Sequence, residues 1–149
     1  MAWLIVGFGS DICGDDKFGI AVAESIAKSD TTAMVITTNT LVPELVEKIR
    51  VADGVIFVDA SLTLPLGQVQ CIDLQNQRDN QEPDACSVGS SHDCHPKTLL
   101  QLNYILNGTQ PPSWLYIVGG AEFSYSEQMS KSVEACVEIV KEEIMARIS

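Results

Sequence analysis

The sequence predicts an α/β fold, a mostly parallel sheet covered by helices on both faces. Short apolar runs alternate with segments of helical spacing along the chain. The runs are continuous rather than alternating, the pattern of strands buried on both faces. Glycine, proline and Asn-Gly breaks separate them. At 149 residues, with no internal repeat and no dividing linker, the chain reads as a single domain, 1–149.

Residues 3–6 (Trp-Leu-Ile-Val) read as a central buried strand. Residues 18–28 carry Ile20, Ala23, Ile26 and Ala27 at helical spacing. Met34–Thr38 is β-branched and reads as strand two. Pro43 suits a helix first turn, and Leu45, Val46 and Ile49 give that helix one apolar face. Residues 55–58 read as strand three, and 68–74 as an edge strand of ambiguous alternation. The polar stretch 75–91 reads as a mobile loop. Pro96 opens the next helix, with Leu99, Leu102 and Leu106 on one face, and Asn107-Gly108 ends it. Residues 114–118 form another buried strand, stopped by Gly119-Gly120. A final helix from about residue 127 to 147 carries the stripe Val133, Cys136, Val137, Val140 and Ile144.

Composition excludes several classes. A formal charge of −11 repels phosphates, so nucleic acid is not an expected partner. No apolar stretch approaches the roughly 20 residues that span a bilayer, and the chain opens on a strand without a basic leader, so the expected compartment is the cytoplasm with no membrane partner. Cys13, Cys71, Cys86, Cys94 and Cys136 are odd in number and form no C-x-x-C pair, so reduced thiols are expected rather than a zinc ribbon or a redox motif.

Three residues stand out: Asp16, Asp59 and His92. Each follows a segment that reads as a strand, and sites in open α/β sheets form outside the carboxyl ends of strands. Two carboxylates and an imidazole together offer hard oxygen and borderline nitrogen donors, which suits a divalent metal. Gly7-Phe8-Gly9 lacks the third glycine of a dinucleotide fingerprint, since Ile12 stands there, and Asp15-Asp16 opposes a bound pyrophosphate. The two acids could instead cap the helix that begins near Phe18. His92 and His95 share one polar stretch with Asp93 and Cys94; they could form a local metal cluster, or Asp93 or His95 could merely start the helix at Pro96. Cys94 next to His95 does not make a thiol enzyme, because sequence neighbours rarely face each other as nucleophile and base. Neither a G-x-S-x-G elbow nor H-E-x-x-H is present.

Taken together, Gly7-Phe8-Gly9-Ser10, Gly14-Asp15-Asp16 and Phe18-Gly19, then Val58-Asp59-Ala60-Ser61, then Ser90-Ser91-His92-Asp93, resemble the three motifs of the maturation endopeptidases of nickel–iron hydrogenases. The resemblance extends over nearly the whole chain. It implies a three-layer sandwich with a five-stranded sheet. It implies removal of a carboxyl-terminal extension from a hydrogenase large-subunit precursor after nickel insertion. It also implies Asp16, Asp59 and His92 as metal-contacting and catalytic residues. The nickel would be carried by the substrate, and the free site would bind nickel, cadmium or zinc. Ser91-His92-Asp93 and Cys94-His95-Pro96 look most like the subgroup serving bidirectional, NAD-coupled hydrogenases. Ser10, Asn39-Thr40 and Ala121-Glu122-Phe123 depart from the usual pattern. The expected partner is the large-subunit precursor, the expected state a monomer. The alternative is a non-catalytic metal-binding chaperone of the same fold.

Overall fold

In a computed structural model, which describes residues 2–10, 14–29, 31–75, 95–121 and 128–149, five strands form one sheet. They are β1 (Trp3–Phe8), β2 (Met34–Thr38), β3 (Gly54–Ser61), β4 (Val69–Asp73) and β5 (Ser113–Gly119). Their order is β2-β1-β3-β5-β4. β1 runs parallel to β2 and β3, and β3 parallel to β5; only β4, at the edge, is antiparallel. The helices are α1 (Phe18–Ala27), α2 (Val46–Ile49, entered through a 3-10 turn at Pro43–Leu45), α3 (Pro96–Asn107) and α4 (Lys131–Ile148).

Strand alternation sorts the core into two layers. Ile5, Ile56, Val58, Tyr116 and Val118 meet α1 and α4 through Phe18, Val22, Val133 and Val140. Leu4, Val6, Val55, Phe57 and Leu115 meet α2 and α3 through Val46, Ile49 and Leu99. Each such side chain, taken fully out of water, contributes about 1.5–3 kcal/mol. The mostly parallel sheet with helices on both faces is therefore the fold that the alternating pattern predicts.

Some expectations shift. Ala27 is exposed. Leu106 is 62% exposed, whereas Asn103 is fully buried on the inner face of α3 beside Leu99. Asn103 is satisfied there: its Nδ2 donates to the Thr109 carbonyl and hydroxyl, both at 2.8 Å, and its Oδ1 accepts from Asn107. Gly108, at φ 75°, takes the left-handed position that closes α3. The final helix begins at Lys131 rather than near 127, because Ser130, at φ −56° and ψ 147°, is its non-helical N-cap. At the other end of α4, the Arg147 guanidinium stacks 4.4 Å from the Trp114 ring centroid and donates to the Tyr116 hydroxyl at 3.0 Å. No helix among the described residues is long and apolar enough to cross a membrane.

Candidate functional site

The strand order reverses between β1 and β3. The chain goes from β1 outward to β2, then returns to the other side of β1 as β3. Such a reversal opens a crevice outside the carboxyl ends of the two strands. Asp16 lies on the turn that follows β1, and Asp59 lies near the carboxyl end of β3.

Asp59 belongs to β3. The register pairs Gly7 with Val58, so the next residues along are Phe8 and Asp59, on neighbouring strands about 4.8 Å apart. The sequence suggested that Asp59 lies just past the strand. It lies inside it, because β5 continues to offer partners, Ile117 to Asp59 and Gly119 to Ser61. Alternation puts its side chain on the face of Val55 and Phe57, the α3 side. It is 2% exposed, and its Oδ2 is shut off from solvent. Burying a carboxylate is costly, so a strand interior is not where one is expected without a chemical reason.

Asp16 lies in a one-turn 3-10 helix, Gly14–Lys17, between β1 and α1. Its Oδ2 accepts the Ser10 N–H at 3.0 Å. Gly9, at φ 144°, makes the space: a Cβ there would sit 2.2 Å from the Asp16 carbonyl oxygen and 3.0 Å from its Oδ1. A helix start seated close on the strands completes the arrangement. A Cβ on Gly19 would lie 2.2 Å from the Val58 carbonyl oxygen.

Asp15 does something the sequence did not reveal. The two acids do not cap α1, whose N-cap is Lys17 with no side-chain cap bond. Asp15 is fully buried and turns towards α4 instead. Its Oδ2 accepts from the Ala121 N–H and from the Ser130 hydroxyl, each at 2.7 Å, and its Oδ1 accepts the Ser130 N–H. A carboxylate on the N-cap amide is normally supplied three residues into the same helix. Here that position is Val133, and the carboxylate comes from the other end of the chain. The α4 dipole favours the negative charge there.

His95 caps α3. Its Nδ1 accepts the Lys97 N–H at 3.0 Å, which is the helix-start role that was one of two readings for it. α3 leads into the amino end of β5, so its own start lies at the carboxyl end of the sheet, on the Asp59 side. Burial, and secondarily the Lys97 ammonium, push the His95 imidazole down from 6.5 to about 4. The unfolded chain therefore takes up this proton more readily than the folded one. The contribution of the neutral cap is complete above about 6.5 and is lost as pH falls towards about 4. We expect the urea midpoint to drop between about pH 7 and about pH 4.5, and His95→Asn, a cap that does not titrate, to flatten part of that drop. An unchanged pH profile in the variant would remove His95 as a source of it.

His92 and Cys94 lie outside the described residues, as do Asp93 and all but Gln75 of the stretch 75–91 read as a mobile loop. The structure describes two of the three expected site residues, Asp16 on the turn that follows β1 and Asp59 within the neighbouring strand β3. The described residues alone bring no three His, Cys, Asp or Glu side chains together as a metal cluster. Cys71 and Cys136 are free thiols, as expected, and burial raises both; Cys13 and Cys86 also lie outside the described residues. A groove of about 440 Å³, lined by Leu74, Lys97, Leu100, Tyr104 and Pro111 among others, opens between α3 and the end of β4. Leu74 bonds to Ser113 at the start of β5, so the groove reaches the opposite, amino end of the parallel strands.

No protein-family model matches the chain, and no curated protein matches its sequence. Solved structures do match. HycI from Thermococcus kodakarensis KOD1, a NiFe hydrogenase maturation protease, superposes with a TM-score of 0.73 at 22% identity, over 96% of this chain and 89% of that one. HybD from E. coli, a hydrogenase maturating endopeptidase, gives 0.74 at 18% identity, over 99% and 92%. HybD from Thermococcus kodakarensis, also a NiFe hydrogenase maturation protease, gives 0.74 at 16% identity over the whole of both chains. The chain thus has the fold of the hydrogenase maturation endopeptidases.

Proposed function

We propose that this chain is an endopeptidase that removes the carboxyl-terminal extension of a nickel–iron hydrogenase large-subunit precursor after nickel insertion. The observation that supports the reading is the strand-order reversal at β1 and β3, with Asp16 on the turn that follows β1 and Asp59 within β3. The shared fold supports the reaction class, and the third motif supplies His92 as the remaining donor. In this reading the nickel belongs to the substrate. Two carboxylates and an imidazole would complete its coordination, so that only a loaded precursor is engaged. The peptide bond would then be cleaved by water activated at that metal, or after polarisation of the scissile carbonyl. The protein brings carboxylates held by the fold rather than a side-chain nucleophile. The free site would take nickel, cadmium or zinc in place of the substrate's metal.

Nickel-loaded and nickel-free precursor, incubated with the purified chain and resolved by gel shift, provide the test. We expect the loaded form to be shortened and the nickel-free form to stay intact. Binding of the loaded precursor without cleavage would turn the reading into that of a metal-binding chaperone. Equal cleavage of both forms would remove nickel as the recognition element.

A further inference from the structure

We propose that Asp15 is a positioning residue for Asp16, and that Ser130 acts through it. The inference builds on the metal-recognition reading above, and one of its tests stands apart from that reading.

The geometry begins with two consecutive carboxylates on a single 3-10 turn. Successive side chains on such a turn point about 120° apart, so a fixed direction for one sets the direction of the other. Asp15 is fixed thoroughly. It is fully buried, and three donors from two separate stretches of backbone converge on it. Rotating the turn would pull a buried anion off its donors, which costs far more than the loss of an exposed bond. Asp16, one residue on, then has one direction available, towards the Ser10 N–H and the bare Cα of Gly9.

The donors also matter by where they stand. Ala121 follows β5, and Ser130 begins α4. One carboxylate therefore ties both ends of the connection between β5 and α4 to the turn that bears Asp16. Capping α4 needs no such arrangement, since an N-cap serine ordinarily accepts an N–H from its own first turn. Ser130 makes no such bond, and its hydroxyl donates to Asp15 instead.

The Ser10 amide reports the seat of Asp16 directly, because it donates to Asp16 Oδ2. In the full chain labelled with 15N, Ser130→Ala removes one donor from Asp15 and leaves the backbone amides in place. Its route to Ser10 runs through the Asp15–Asp16 turn. We expect the Ser10 amide resonance to move and its hydrogen exchange to quicken in Ser130→Ala, and more so in Asp15→Asn. Amides of α2, on the face of the sheet opposite α1 and α4, should keep their positions. Processing of nickel-loaded precursor should fall about 10- to 100-fold in Asp15→Asn, mostly in kcat, as expected for a displaced rather than a missing group. A Ser10 amide that stays in place in Ser130→Ala overturns the inference, and this variant serves even if Asp15→Asn fails to fold. Normal processing by Asp16→Ala would instead sink the functional reading, while the Ser10 response would still decide the positioning.

Discussion

Asp59→Asn should lose processing of nickel-loaded precursor by about 100-fold or more while keeping the fold. The substitution preserves shape, removes the charge and turns one acceptor oxygen into an amide donor. Removing one group aimed at developing charge or at a metal-bound substrate typically costs about 10²–10³ in rate. The effect on stability should be small or of the opposite sign. Asp59 is 2% exposed, within a strand whose neighbours are Val58, Ala60 and, across the sheet, Ile117. Burying a carboxylate in such a place is costly, and a neutral amide of the same size avoids that cost. A melting temperature within about 4 °C of the parent corresponds to about 1 kcal/mol in a chain of this size. Gel-shift processing and thermal unfolding, measured on the same preparation, separate the two effects. Full activity would remove Asp59 from the site. A collapse of the melting temperature would make it a structural residue.

The same residue illustrates what the sequence could and could not reveal. Apolar runs made strands legible, and β2 was found with its bounds intact, since a β-branched run flanked by polar residues has little else to be. Where a strand ends is decided by its neighbour. β3 runs on through Asp59, Ala60 and Ser61 because β5 pairs with all three, and polarity at Asp59 does not stop it. The inner face of α3 departs from its leucine spacing for a related reason. Leu106 is apolar and exposed, while Asn103 is polar and buried, because Thr109, beyond the end of the helix, satisfies its amide. Local spacing carries no information about a partner that returns after a turn.

The site was legible to the extent that it hangs on strand ends. Asp16 after β1 and Asp59 near the end of the neighbouring β3 could be placed from the alternation of strands and helices, since that alternation fixes which ends share an edge. Asp15 could not. Its donors stand 106 and 115 residues away, and the only local sign, a serine before the last helix without an acid three residues on, is an absence rather than a motif. The expectation that one of the two acids caps α1 rested on their proximity to Phe18. The structure gives that place to Lys17 and sends the two carboxylates elsewhere, one to the α4 start and one to the Ser10 N–H.

His92→Ala should cost more processing than stability. The motive is the sequence Ser90-Ser91-His92-Asp93, whose likeness to the third motif makes His92 the one nitrogen donor proposed for the site. Three residues after it the chain stands at His95, the start of α3 on the Asp59 side of the sheet. Three residues of chain span at most about 10 Å, which bounds how far position 92 can lie from that start. Its neighbours in sequence are serine and aspartate, so little apolar burial is at stake, and changes of this kind usually move stability by less than about 0.5 kcal/mol. With one of three donors gone, only the two carboxylates would remain for the substrate's nickel. Processing of loaded precursor should fall by about 10²-fold, the upper end of the effect seen when a metal site loses even an outer partner. His95→Asn serves as the control on the same loop end: it retains the α3 cap and should retain processing, since His95 spends its Nδ1 on the Lys97 N–H. Near-parent processing by His92→Ala would show that His92 does not touch the metal. If His95→Asn lost processing and His92→Ala did not, the nitrogen donor would be His95, and its place as the helix cap would have to be given up during turnover.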